Sequence, residues 1–278
     1  MRASQIIQPF SGASLAIILA TGCSPPPEAP TDLSDLSQYL IREFDSEEET
    51  IAAGLENLDG FLVGLDCWGD FEMGEDRGDR EWTLPTVWGD DLGSIEFPST
   101  ADPENQTRIG VAALSRFSPF EHGELVAVPD QAPAQTASSV VYDREFLTDV
   151  DCFVDQSCDR VDTFNIIQRQ LLLIDVVYES YKDFRWIEMP DGNGTAMVGR
   201  SWVIERFPGV DDEDQALEQN FSAEAWIPHP DGTMLFLANW VEWVIPGIND
   251  EDMIASLTAS GIDEIFVAYE EYLDGDMQ

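Results

Sequence analysis

The sequence predicts an α+β fold, in which helices flank a curved antiparallel sheet. Three observations predict it. Residues 32–62 repeat apolar side chains at helical spacing. Residues 165–245 contain apolar segments separated by turn sequences, as in an antiparallel meander. Residues 249–272 return to helical spacing, so the predicted order is a helical hairpin, a meander and a closing helix.

The composition predicts a folded, strongly acidic protein. The 278 residues include 55 Asp and Glu against 13 Lys and Arg, a formal net charge of -42, and 44% of residues are hydrophobic. That hydrophobic fraction suffices for a packed core. The charge excludes nucleic acid as a partner, because nothing in the chain could neutralise a run of phosphates, and an anionic bilayer surface would repel it. It also disfavours self-association, so we expect a monomer.

The first 22 residues have the order of a secretory signal. A positive charge at Arg2 is followed by an apolar run over residues 12–20, too short to span a bilayer, and then by Thr21, Gly22 and Cys23. Residues 19–23 resemble the lipobox of bacterial lipoproteins. The resemblance implies cleavage before Cys23 and attachment of diacylglycerol to its thiol, with acyl chains such as palmitate. The alternative is an ordinary secretory signal with an incidental cysteine.

Residues 23–31 form the predicted tether between the lipid and the folded body. Four of residues 24–30 are proline, which favours an extended chain. Two or more acyl chains would hold such a protein stably on a membrane. Within the lipoprotein resemblance, Ser24 implies sorting to the outer rather than the inner membrane. The expected location is therefore the bacterial cell envelope, with contact to the membrane through the lipid anchor alone.

Residues 32–278 are interpreted as one globular domain, helical over 32–62, mixed over 63–160, and a meander plus helix over 161–278. Ser46 and Glu49 have the spacing of a capping box that opens the second helix. The two helices carry apolar stripes at Leu33, Leu36, Leu40, Ile41 and Phe44 and at Ile51, Leu55, Leu58 and Leu62.

The mixed segment has few strong signals. Residues 108–117 and 140–146 are predicted strands, and residues 129–137 a loop. Ser118 followed by Pro119 predicts the start of a short helix, because serine caps helices and proline suits the first turn.

The meander contains at least four predicted strands. The first comprises residues 171–181 and 184–189, and the others cover residues 196–207, 221–227 and 234–245. In the third, Phe221, Ala223, Ala225 and Ile227 alternate with polar residues, which predicts a half-buried strand. Asn249 is the predicted cap of the final helix. Its predicted inner stripe is Ile254, Leu257, Gly261, Ile265, Ala268 and Tyr272.

This order of elements resembles the START-like helix-grip fold, over roughly the last 120 residues. In that family the C-terminal helix lies against the sheet and encloses an apolar cavity. A lipocalin-like barrel is the alternative, and a simple α+β sandwich shares much of the pattern.

Seven residues are candidates for a ligand pocket, if the sheet curves beneath the last helix. They are Trp202, Trp226, Phe236, Trp240, Trp243, Arg185 and Arg200. The aromatic rings would suit an apolar or lipid-like ligand, and the arginines would hold a carboxylate or phosphate. The alternatives are plain core packing for the rings and ion pairs with nearby acids for the arginines.

The cysteines fit an oxidising compartment. Cys152 and Cys158 bracket a short loop and are the favoured disulfide, with Cys67 left as a buried thiol. The alternative is a bridge from Cys67 to one of the other two. Zinc is not expected, because paired C-x-x-C spacing is absent and the chain has only two histidines, His122 and His229.

No catalytic motif is recognisable, and we expect no cofactor, metal site or catalytic residue. The hypothesis is a non-enzymatic binding or interaction module, for an apolar ligand or an envelope protein partner. One alternative is a structural or surface-interaction lipoprotein without a cavity. The other is a hydrolase with an unidentified carboxylate pair.

Overall fold

The computed structural model describes residues 28–63, 78–171, 174–248 and 250–275 and has the predicted α+β architecture. The described helices are α1 (Leu33–Arg42), α2 (Glu48–Leu62), α3 (Pro119–Val126), α4 (Val150–Val154) and α5 (Glu251–Leu273). None of these helices is both long and apolar enough to cross a membrane.

The described strands join in one antiparallel sheet. They are β1 (Glu81–Thr83), β2 (Thr107–Ser115), β3 (Ser139–Phe146), β4 (Arg160–Leu171), β5 (Ile174–Glu188), β6 (Thr195–Trp202), β7 (Phe207–Pro208), β8 (Ala216–His229) and β9 (Gly232–Val244). Their spatial order is β1-β2-β9-β8-β6-β5-β4-β3, with β7 beside β8. Because β1 and β3 lie at opposite ends and do not pair, the described sheet is open, and the lipocalin-like barrel is wrong.

The outer face of the sheet is the one that carries Phe221, Phe236 and Trp240. Helices α1 and α2 cover it, with Leu36, Phe44, Leu55 and Leu58 buried against these rings. The apolar stripes of both helices therefore pack on the sheet, as predicted.

The inner face carries Ser222, Glu224, Leu237 and Asn239. Helix α5 crosses this face and buries Ile262 and Phe266 against β2 and β9. Helix α3 packs beside it. The sheet is thus a middle layer between two helical layers, and the closing helix and the N-terminal hairpin lie on opposite sides.

Two predicted helix caps are wrong in detail. The Ser46 hydroxyl donates to Glu43 instead of capping α2, whose N-cap is Glu47 without a side-chain hydrogen bond. Asp250, whose carboxylate accepts from the backbone N–H of Met253, caps α5, and Asn249 lies outside the described residues. The cap of α3 is confirmed, because Ser118 and Glu121 form a complete capping box.

Strand bounds differ most around β4 and β5. Strand β4, whose polar residues alternate with apolar ones, was not predicted as a separate strand. Residues 171–181 and 184–189 belong largely to the single strand β5, which also includes residues 182 and 183.

Cys152 and Cys158 form a disulfide, with their Cα atoms 5.3 Å apart. It closes the loop that follows α4. Cys23 and Cys67 lie outside the described residues, so their predicted lipidation and free thiol remain predictions.

Candidate ligand cavity

A cavity of about 330 Å³ lies between the inner face of the sheet and α5. It follows β5 from Ile174 to Lys182, a span of roughly 26 Å at the usual rise of a strand. Its size is at the lower end of the usual range for small-molecule sites.

The walls of the cavity are mostly aliphatic. The sheet contributes Ile167, Ile174, Leu237 and Val241, and the segment after β9 contributes Ile245 and Ile248. Helix α5 contributes Ile254, Leu257, Ile262 and Ile265. Such walls would release water on contact with an apolar chain, which favours binding.

The inner end, or floor, of the cavity is polar. Lys182 Nζ lies 2.6 Å from Glu224 Oε1, and the side chains are 11% and 5% exposed. Glu224 also accepts from the Ser222 hydroxyl, which lies 2.7 Å from the hydroxyl of Ser201. The floor is therefore a connected hydrogen-bond network, in which the charges of Lys182 and Glu224 neutralise each other.

The ion pair keeps Lys182 charged. Burial alone would lower the pKa of Lys182, but the adjacent Glu224 carboxylate, together with Tyr142 and Tyr269, raises the pKa to about 12. Burial raises the pKa of Tyr269, which lines the same end, so its hydroxyl stays neutral and can donate.

His122 lies behind the floor, in a small enclosed space that Lys182 and Tyr269 also line. Its Nε2 lies 2.9 Å from the Ser115 hydroxyl, and burial lowers its pKa to about 4, so the ring is neutral at pH 7. Helix α3 approaches the sheet closely because Gly123 has no side chain, and a Cβ there would overlap the ring of Trp186. His122 is thus buried on α3, with 1% of its surface exposed.

The outer end, or mouth, is lined by residues near the β4–β5 turn, the end of β9 and the start of α5. Arg169, Tyr178 and Trp243 line this end together with Leu257. Leu257 is 54% exposed, which places it where the cavity meets solvent.

Three of the seven predicted pocket residues lie on the outer face, opposite the cavity. Trp202 pairs with Phe221, Phe221 pairs with Trp240, and directly paired residues share a face. Phe236 lies on the same face and packs with Trp82 at 6.2 Å between ring centroids. These rings form the core beneath the N-terminal hairpin, which agrees with the alternative prediction that they pack in the core.

The two predicted arginines also lie on the outer face, where they hold the turn between α1 and α2. Arg185 donates to the backbone carbonyls of Phe44 and Ser46, at 2.6 and 3.0 Å. Arg200 bridges Asp183 and Asp45, each at 2.9 Å, and its guanidinium lies 4.4 Å from the centre of the Phe44 ring. Both therefore serve the fold and not the cavity.

The other two predicted residues lie on the inner face. Trp243 lines the mouth of the cavity. Trp226 packs against Phe184 beyond the floor and lines the small space next to His122.

Sequence reasoning missed the floor. Ser222 and Glu224 were expected to face solvent on a half-buried strand, yet each is 4% exposed. Lys182, the only lysine in the chain, was a usable signal, because strand alternation places it on the same face as Tyr178, Phe184 and Trp186. A charged residue there requires a buried partner of opposite charge, and the facing partner is Glu224.

No protein-family model and no curated protein matches this sequence. Solved structures of similar fold include a STAR-related lipid transfer protein from Xanthomonas axonopodis. It has 8% identity and a TM-score of 0.42, and the match covers 60% of this chain and 85% of that one. A Thermus thermophilus protein matches with 14% identity and a TM-score of 0.41, over 62% of this chain and 99% of that one. A START superfamily protein from Mycobacterium smegmatis matches with 11% identity and a TM-score of 0.38, over 60% and 97%.

Proposed function

We propose that this protein is a lipid-anchored lipoprotein of the bacterial cell envelope that binds an amphipathic, lipid-like ligand without chemically changing it. The observation that carries the binding proposal is the cavity of about 330 Å³, with its aliphatic walls and its polar floor. A ligand with an apolar chain and at least one polar group matches both surfaces.

The anchor is proposed from the sequence alone. Cys23 follows a short apolar run and Gly22, and a proline-rich tether separates it from the first described helix. Acylation at Cys23 would place the cavity near a membrane, where amphipathic ligands are available. We propose the outer membrane as the location.

The two alternatives have less support. A structural lipoprotein with a solid core does not account for the cavity. A hydrolase needs reactive carboxyl groups in a cleft, but Asp59 and Asp183, the carboxyl groups of the described residues with a raised pKa, do not line the cavity. Burial raises the pKa of Asp183, but Asp183 lies beneath the N-terminal hairpin in contact with Arg160 and Arg200.

Native mass spectrometry tests the binding proposal. The full chain carrying Cys23→Ser, which cannot be acylated, would be purified without detergent from the periplasm of a bacterial host. We expect a discrete added mass that disappears on solvent extraction. A clean spectrum of the unliganded protein would contradict ligand binding.

A matched pair of glycine variants assigns the bound mass to the cavity. Gly261 lines the cavity from α5, and a Cβ there has open space within 4 Å. Gly261→Trp should fill the cavity and lower the bound fraction at least tenfold. Gly60→Trp is the control, because Gly60 also has open space on a helix but lies exposed on α2. Equal bound fractions in both variants would place the ligand elsewhere.

Metabolic labelling tests the anchor. Cells grown with labelled palmitate should incorporate label into the wild-type chain and none into Cys23→Ser. Equal labelling of both would rule out Cys23 as the lipidated residue.

A further inference from the structure

Arg169 lies at the mouth of the cavity on β4, where it pairs with Val176 of β5. It is partly exposed, and it is close enough to Tyr178, another lining residue, to favour the ionised form of that hydroxyl. Among the described residues, two cationic side chains line the cavity, Arg169 and Lys182.

The two cations differ in their surroundings. Glu224 neutralises Lys182 at 2.6 Å. No carboxylate of the described residues lies within 4.0 Å of the Arg169 guanidinium. Glu264, which lines the cavity from α5, also lies beyond that distance. Elsewhere in the described residues, arginines such as Arg160, Arg200 and Arg206 contact carboxylates. Arg108 and Arg144 instead donate to neutral oxygens of Thr86, Asn165 and Val126.

We propose that Arg169 binds the oxyanion of the ligand, a carboxylate or a phosphate, at the mouth of the cavity. The apolar chain then lies along Ile167, Leu237, Val241, Ile262 and Ile265 towards the floor. The planar guanidinium can donate two parallel hydrogen bonds to such a group. The floor needs no charged group, since Lys182 and Glu224 already neutralise each other. This inference rests on the proposed function and specifies its ligand class.

A pair of probes with the same chain and different head groups tests the inference. Dodecanoate and 1-dodecanol would each displace the neutral dye Nile red from the full chain carrying Cys23→Ser, at pH 8 and below their micelle-forming concentrations. We expect dodecanoate to bind at least about tenfold more tightly than dodecanol, because only its head group forms charge-assisted hydrogen bonds with Arg169.

Two arginine variants complete the test. Arg169→Gln should abolish the preference for dodecanoate while dodecanol binding stays unchanged, which also shows that the variant is folded. Arg206→Gln is the control, because Arg206 pairs with Glu218 away from the cavity, and it should keep the wild-type preference. Equal affinity for the two probes in the wild-type chain, or a preference that survives Arg169→Gln, would overturn the inference.

Further probes distinguish a carboxylate from a phosphate head group. They also distinguish failure of the Arg169 inference from failure of the proposed function. If dodecyl phosphate binds more tightly than dodecanoate, the head group of the ligand is assigned as a phosphate. If it binds more weakly, the head group is assigned as a carboxylate. If acetate or inorganic phosphate displaced the dye at the same concentrations as the long-chain probes, the proposal that the ligand is an amphiphile would be overturned. Displacement by neither dodecanoate nor dodecanol would overturn the proposed function itself.

Discussion

The two faces of the sheet are built from the same strands but end as different environments. On the outer face, Phe221, Phe236 and Trp240 are at most 1% exposed and pack against the N-terminal hairpin. On the inner face, Ser222, Glu224 and Asn239 line a cavity beneath α5. Large rings fill one face, whereas small and polar residues leave space on the other.

Aromatic residues on a sheet therefore do not by themselves identify a ligand site. Three of the five aromatic residues predicted to bind a ligand fill the outer face, where they stabilise the fold. The cavity is instead where polar and aliphatic side chains of the inner face lie beneath α5.

Trp240→Ala should have the largest effect on stability, because it removes a ring from the core on the outer face. Trp240 is fully buried, and its indole Nε1 donates to the carbonyl of Pro85 at 2.8 Å. We expect a loss of about 3–5 kcal/mol in the free energy of unfolding, measured in urea, because a large cavity replaces the indole. Ligand binding by the folded fraction should persist.

Trp243→Ala is the matched change on the inner face. Because Trp243 lines the cavity mouth and is only partly buried, its loss should lower ligand affinity several-fold and cost less than about 1.5 kcal/mol of stability. If Trp240→Ala abolished binding while Trp243→Ala left it unchanged, the assignment of the two faces would be wrong.

Arg200→Met tests the attachment of the hairpin. Arg200 is 3% exposed and contacts Asp183 and Asp45, so its loss leaves Asp183 buried with Arg160 as its remaining contact. We expect a cost of about 3 kcal/mol in the free energy of unfolding and faster hydrogen exchange in α1 and α2. Arg206→Met, which removes a more exposed pair with Glu218, should cost under about 1 kcal/mol. Similar costs for the two variants would contradict a special role for Arg200.

The smallest expected effect is the pH dependence of the stability that Asp45 contributes. Burial alone would raise its pKa, but hydrogen bonds from Ser94, Arg160 and Arg200 lower it to about 2, from 3.8. Because the folded-state pKa is the lower one, the stabilisation from Asp45 is complete above about pH 5 and is lost progressively as the pH falls through 3.8 and then through about 2.

Asp45→Asn isolates this contribution. The difference in unfolding free energy between wild type and Asp45→Asn should be constant between pH 5 and pH 7 and should shrink below pH 4. Other carboxyl groups titrate in both proteins and largely cancel from the difference. A difference that grows on acidification would contradict the assigned direction.

Local patterns predicted most elements. The alternation of Phe221, Ala223, Ala225 and Ile227 predicted β8, and Ser118 followed by Pro119 predicted α3, because period and capping depend on neighbouring residues. Strand β4 was missed because its alternating polar residues, such as Thr163 and Asn165, lack an apolar signal and are buried through hydrogen bonds to β5.

Four properties follow from the sequence alone: the acidic character, the α+β class, most helices and strands, and which residues of a strand share a face. Tertiary structure alone decided which helix covers which face, and hence which set of alternating residues lines the cavity. The reason is that the two-residue repeat of a strand divides its side chains between two faces but does not specify which helix packs on either face. That choice depends on contacts between distant segments, such as Arg200 with Asp45, which are 155 residues apart, and Lys182 with Glu224.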